Sequence, residues 1–182
     1  EPSGFNIEHC YLIALGELTP TSTDYIAGHT SQQTHDDIAE LLERLRRRPE
    51  IEAVSLSQNS YPYNGSNSGA EVSYDTLRSP GWTIRRLVTP DFPRVFRYRG
   101  TRGETPEQLA EMLERGEFMA SDNLYRKYDC RMTDLVGQRF YLFGDTTKTY
   151  RLGAALQYVR YHDYDQARSS YSMLVKQRFY YI

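Results

Sequence analysis

Long hydrophobic runs are missing from this 182-residue chain. The longest, residues 10–15, is strand-sized, well below the roughly 18 apolar residues of a membrane-crossing helix, so no membrane span is expected. Cysteine is scarce. Cys10 and Cys130 are the only two, too few for a metal site and spaced like no zinc motif. They can pair in an oxidising compartment or persist as buried thiols in a reducing one, and the sequence leaves both open. Lysine is nearly absent, three against nineteen arginines, a bias that genome composition alone can produce. G-x-S-x-G, Walker A and G-x-G-x-x-G motifs are all lacking. His9, His29, His35 and His162 are scattered, without the spacing of an H-E-x-x-H site. No initiator Met and no charged-then-apolar leader stand at Glu1, and no tail follows the last strand-like stretch at Ile182. The chain therefore reads as a processed product or an excised domain. A net charge of -2 lacks the strongly basic face that duplex nucleic acid calls for.

What is present fits one globular α+β domain over residues 1–182: 39% hydrophobic residues, 25% charged, and length enough for a core without staples. Charge is unevenly spread. Residues 1–90 hold seven Arg against twelve Asp/Glu, and residues 91–182 hold fifteen Lys/Arg against twelve. The second half is thus the place to look for an anionic ligand. Residues 10–56 read as strand, helix, strand. The strands are 11–18 and 51–56. The helix begins at Thr34, with Asp37 three residues on, and carries an Ile38, Leu41, Leu42, Leu45 stripe before Pro49 stops it. Residues 57–80 read as a Ser-, Asn- and Gly-rich loop, closing an N-terminal segment of residues 1–80. Beyond it, 82–88 and 94–99 read as strands. Thr105-Pro106-Glu107-Gln108 opens a helix that Gly116 ends, and 124–135 reads as a second helix. Residues 139–143 read as a strand, 150–160 as a helix and 172–181 as a final strand.

The most informative stretch is Val95-Phe96-Arg97-Tyr98-Arg99-Gly100-Thr101-Arg102, then Thr105-Pro106-Glu107-Gln108-Leu109, then Arg115-Gly116-Glu117-Phe118. A strand with an Arg, a turn with a second Arg, a Pro-Glu helix start, then Gly and Phe resembles the opening of cholera- and pertussis-type mono-ADP-ribosyltransferases. Residues 141–147 and 171–180 are similar to later strands of that family, so the resemblance spans roughly residues 94–182. It implies an ADP-ribosyltransferase-like fold that takes NAD as a substrate and modifies a target protein. It also implies a toxin or effector that is secreted or delivered into a host cell. The family's strand Arg, which holds the NAD phosphates, corresponds to Arg97. Thr146 would support the pocket and Tyr150 would stack on the nicotinamide. Guanidinium suits phosphate because it donates two parallel hydrogen bonds.

Two departures bear on activity. Gly144-Asp145-Thr146 stands where the family has Ser-Thr-Ser, and no Glu occurs after Glu117, although the family's catalytic glutamate lies late. The carboxylates left for that role are Glu50 and Glu52 in Glu50-Ile51-Glu52, which precedes the Arg segment, so their use needs a permuted chain order or an N-terminal segment that folds back into the cleft. Without such a carboxylate, stabilisation of the developing positive charge is lost. Two other readings stand beside this one. Arg97 can be a half-buried strand residue paired with a carboxylate. The domain can be a binding module that contacts a protein partner through its Arg and its sixteen Tyr, ten of them from Tyr125 onward.

Overall fold

Two capping boxes define the principal helices. In the first, the Thr30 side chain accepts from the Gln33 N–H while the Thr30 N–H donates to Gln33 Oε1 at 2.7 Å. Helix α1 (Ser31–Arg46) thus begins one turn before Thr34. Thr105 and Gln108 repeat the arrangement ahead of α3 (Pro106–Glu114), with Pro106 at the first helical position. Behind α3, Gly116 adopts φ 80°. Its N–H donates to the Leu113 carbonyl and the Glu117 N–H to Met112, the paired bonds of a Schellman stop. The computed structural model describes residues 4–13, 15, 19–28, 30–56, 61–62, 68–157 and 172–176.

Seven strands form one curled, mixed sheet: β1 (Val72–Tyr74), β2 (Leu77–Arg78), β3 (Ile84–Val88), β4 (Phe118–Ser121), β5 (Arg139–Leu142), β6 (Asp145–Leu156) and β7 (Ser172–Lys176), in the order β2-β1-β5-β6-β4-β7-β3. Its β2-β1-β5-β6 half is antiparallel, whereas β6 runs parallel to β4, and β3 parallel to β7. Strand β6 belongs to both halves. Its first part pairs with β5 from Arg139↔Arg151 to Leu142↔Asp145, and its second part pairs with β4 from Phe118↔Leu152 to Ser121↔Leu156. Register shifts beside Gly153, where Phe118↔Leu152 gives way to Met119↔Ala154.

Both faces of β4 are covered. Phe118 and Ala120 join a cluster with Leu124, Tyr125, Phe140, Leu152 and Met173. Met119 joins the other cluster, with Phe92, Phe96, Tyr98, Leu109, Leu113, Leu156 and Leu174. Two-sided burial explains why β4 and the end of β6 read as continuous apolar runs rather than alternating ones. It also explains the largest departure from expectation. Residues 150–156 are strand, not helix, because Leu152, Ala155 and Leu156 are buried by sheets of side chains on two faces and mimic a helical stripe. Residues 158–160 lie outside the described residues.

Other expectations are corrected locally. Residues 11–13 carry no strand, and 14 and 16–18 fall outside the described residues. Residues 51–56 do not form a strand. They are held by Thr89, whose N–H donates to the Leu56 carbonyl at 3.1 Å and whose Oγ1 accepts from the Leu56 N–H at 3.0 Å. The strand-helix-strand segment thus reduces, among the described residues, to α1 alone. Within the expected loop 57–80 lie β1 and β2, which join the sheet through β5. Residues 124–135 form two short 3-10 turns, Arg126–Tyr128 and Met132–Leu135, broken by Asp129 at φ 53°. The strands expected at 82–88 and 139–143 are present as β3 and β5, and β7 is the described part of 172–181. No helix among the described residues is long and apolar enough to cross a membrane.

Gly153 has no room for a side chain. A Cβ there would stand 2.6 Å from Glu117 Oε2 and 3.2 Å from Met112 Cβ. Gly153→Ala is expected to lower stability by about 1–3 kcal/mol, read from the denaturant midpoint, as overpacking does.

Candidate functional site

Residues 94–99 are not a strand. Phe92 and Pro93 open a single helical turn, α2 (Phe92–Val95). The turn ends in a second Schellman stop: the Tyr98 N–H donates to the Pro93 carbonyl at 2.9 Å and the Arg97 N–H to Arg94 at 3.3 Å. Arg97 occupies the left-handed position of this stop, at φ 51°, where glycine is the usual residue. Tyr98 packs back on Phe92 with ring centroids 5.7 Å apart, the hydrophobic contact that accompanies such a stop. The alternation in Val95-Phe96-Arg97-Tyr98 mimics a strand because the stop buries Phe96 and Tyr98 and turns Arg97 outward.

The Arg97 side chain is half exposed and contacts Glu52, Nη2 to Oε2 at 3.5 Å. The Glu52 carbonyl also accepts from Arg94 Nη2 at 3.4 Å. Glu50 does not join them. It pairs with Arg48 at 3.6 Å on the surface. Nearby, the Cys10 thiol donates to the Val95 carbonyl at 3.3 Å. Cys10 and Cys130 are both free and pack beside different core clusters, and burial pushes both thiols up.

Strand-like pairing begins only after Tyr98. The Thr101 N–H donates to the Ala155 carbonyl at 2.8 Å, Gly100 is bridged to Leu156, and the Gln157 N–H donates to Arg99 at 3.4 Å. Arg99, not Arg97, is therefore the arginine whose backbone is fixed to the sheet. Its guanidinium makes no hydrogen bond or ion pair with the described residues. The neighbouring arginines are engaged: Arg94 with Asp91 at 3.1 Å, Arg97 with Glu52, and Arg102 with the Thr133 carbonyl at 2.6 Å. Glu107, in the first turn of α3, has its carboxyl held below the usual range by a hydrogen bond from its own backbone and one from Thr105, with smaller contributions from Arg94 and Arg99.

A second polar group braces the same end of the sheet. Asp122 is buried directly after β4 and accepts from Arg131 Nε at 2.7 Å and from the Thr133 N–H at 2.8 Å. Thr133 in turn shares a hydroxyl contact with Thr101. This bracing went unread in the sequence, since a lone Asp after a strand carries no signal that its partners lie 9 and 11 residues on.

Thr146 and Tyr150 lie elsewhere. Phe143 and Gly144, both at positive φ, make the two-residue hairpin turn between β5 and β6, and Thr146 is exposed beside its tip. Along β6, ten residues separate Thr146 from Leu156, roughly 30 Å at about 3.3 Å per residue. Tyr150 pairs with Phe140, meets the Phe143 ring edge-on and lies beneath Lys148 Nζ at 4.7 Å. The structure thus brings Glu52 to Arg97 but does not bring Thr146 or Tyr150 to the Arg99 end. Of the ten Tyr from Tyr125 onward, Tyr158, Tyr161, Tyr164, Tyr171, Tyr180 and Tyr181 lie outside the described residues.

No protein-family model, curated protein or solved structure matches this chain.

A left-handed Arg costs about 1 kcal/mol relative to Gly, and the exposed pair with Glu52 is worth about 0–1 kcal/mol. Arg97→Gly is accordingly expected to keep or raise the denaturant midpoint. A loss above about 1 kcal/mol would mean that the Glu52 contact outweighs the backbone cost.

Proposed function

We propose that this chain is an ADP-ribosyltransferase-like toxin or effector domain that binds NAD to modify a target protein. On this reading it acts after secretion or delivery into another cell. The observation that carries the reading is Arg99. It sits in the stretch that resembles the family's opening, its backbone is tied to β6, and its guanidinium has no partner among the described residues. A charged group left unpaired on a rigid segment is available to an anionic ligand, and a guanidinium fits a pyrophosphate bidentately. The family role assigned above to Arg97 therefore passes to Arg99, while Arg97 serves the turn that presents it.

Among the carboxylates considered for the acid role, Glu52 reaches the arginine-bearing corner and Glu50 does not. Thr146 and Tyr150 are too far along β6 to act on a ligand held at Arg99. The second reading, a non-enzymatic effector that contacts a protein partner through its Arg- and Tyr-rich surface, is favoured by the lack of any Glu after Glu117. Nicotinamide release separates the two.

Calorimetric titration with NAD tests the reading. Arg99→Ala is expected to weaken binding about tenfold to a hundredfold, the worth of a charge-assisted pair, and Arg97→Ala to change it about threefold or less. Equal binding by wild type and Arg99→Ala would remove the basis of the proposal.

A further inference from the structure

Helix α3 covers one face of β6 from Gly153 onward, where Met112 Cβ stands 3.2 Å from the place of a glycine Cβ. Arg151, two residues earlier, projects to the same side, and its Nη1 donates to Glu117 Oε1 at 2.8 Å. From Arg151 back, this face meets solvent. Arg151 is opposite Arg139 and Thr149 opposite Tyr141, while Tyr141 is opposite Ser73, itself opposite Arg78. Residues opposite one another on antiparallel strands project to one face, as do alternate residues of one strand. Val72, Phe140 and Leu142 alternate with them and point into the core. Arg78, Arg139, Tyr141 and Arg151 thus share the outer face, and all four are exposed.

Cations on this face outnumber the carboxylates that serve them. Arg139 and Arg151 are cross-strand neighbours, an arrangement that repels. Glu117 Oε1 is shared between Arg151 and Arg115, the latter at 3.4 Å. Arg78 reaches Glu71 at 3.7 Å. Arg139 meets no carboxylate among the described residues, and its Nη1 donates to Thr149 Oγ1 at 3.2 Å. Four guanidinia (Arg78, Arg115, Arg139, Arg151) against two carboxylates (Glu71, Glu117) leave +2 on this face of a chain whose total is -2.

We propose that this sheet face is the docking surface for an acidic stretch of a partner protein. Carboxylates of that stretch relieve the repulsion between Arg139 and Arg151. Tyr141, 38% exposed, sets a ring and a hydroxyl among the guanidinia, and protein interfaces concentrate these two residue types. One half-exposed ring is no platform for successive bases, so a polypeptide fits better than single-stranded nucleic acid. Five residues of β6 separate Arg151 from Leu156, roughly 17 Å at about 3.3 Å per residue. The surface is therefore separate from the Arg99 corner and does not rest on NAD binding. It gives the protein contact of either functional reading a place and a partner chemistry.

Calorimetric titration of the full chain with poly-L-glutamate at low salt tests it. Wild type is expected to bind, Arg139→Glu to weaken binding about tenfold and Arg139→Gln about threefold. Arg99→Glu, the same charge change at the other corner, is expected to alter it about twofold or less. Both Arg139 variants are expected to keep or raise the Tm, because they remove a repulsion, so their lost binding is not lost folding. Equal weakening in Arg139→Glu and Arg99→Glu overturns the proposal, since it reports general charge attraction. No binding of poly-L-glutamate by wild type overturns it too, and NAD binding by the same sample leaves the NAD reading standing. Tighter binding of oligodeoxythymidylate, lost in Arg139→Glu and Tyr141→Ala, overturns the choice of a polypeptide. Self-association of the chain that Arg139→Glu abolishes overturns the choice of a separate partner.

Discussion

A single twelve-residue strand, β6, is the constraint on which the rest of this structure depends. It pairs antiparallel with β5 along its first part and parallel with β4 along its last, so one segment joins both halves of the sheet. The change of partner occurs at Gly153, where the absent side chain admits Glu117 Oε2. Glu117 Oε1 accepts from Arg151 Nη1 at 2.8 Å, which ties the end of α3 to the bulge itself. Because the end of β6 is buried on both faces, what lies beside it is fixed too. Ser121 is on one side and Gly100 on the other.

The corner at residues 89–98 supplies the second constraint. Phe92, Phe96 and Tyr98 are buried in one cluster with Leu109, Leu113, Met119 and Leu174, and burial of this apolar surface stabilises the corner. Around that cluster the N-terminal residues close like a strap. The Asn6 N–H donates to the Phe96 carbonyl, Phe5 stacks on Tyr98, Arg46 meets Asp91 and Leu56 meets Thr89. Each exposed ion pair in this strap contributes about 0–1 kcal/mol, so the strap orients the corner more than it stabilises it. Arg97 bends the chain at positive φ, and the next two residues deliver Arg99 to the sheet edge.

What was legible in the sequence was what local chemistry decides. Thr105 with Gln108, Pro106 and Gly116 announced α3 and both its ends, because a cap and a stop are made within a few residues. The alternation in 82–88 and 139–143 revealed β3 and β5. What was illegible depends on distant partners. The segment 150–156 has the spacing of a helix face, and only pairing with β4 and β5 makes it strand. Val95-Phe96-Arg97-Tyr98 alternates like a strand, yet the Pro93 carbonyl captures the Tyr98 N–H and closes a turn. The same difference governs the site. An arginine beside a Pro-Glu helix start could be read from the sequence, whereas which arginine has no partner among the described residues could not. That is decided by Glu52, 45 residues before Arg97, and by Thr133, 31 residues after Arg102.

The central claim is that a nucleotide pyrophosphate lies at Arg99, at the sheet end formed by Gly100, Leu156 and Ser121. A crystal structure of the full chain grown with ADP-ribose tests it most directly. Pyrophosphate density within hydrogen-bonding distance of the Arg99 guanidinium is the expected result. Density held instead at Arg97, or at the hairpin end of β6 beside Thr146 and Tyr150, would contradict it.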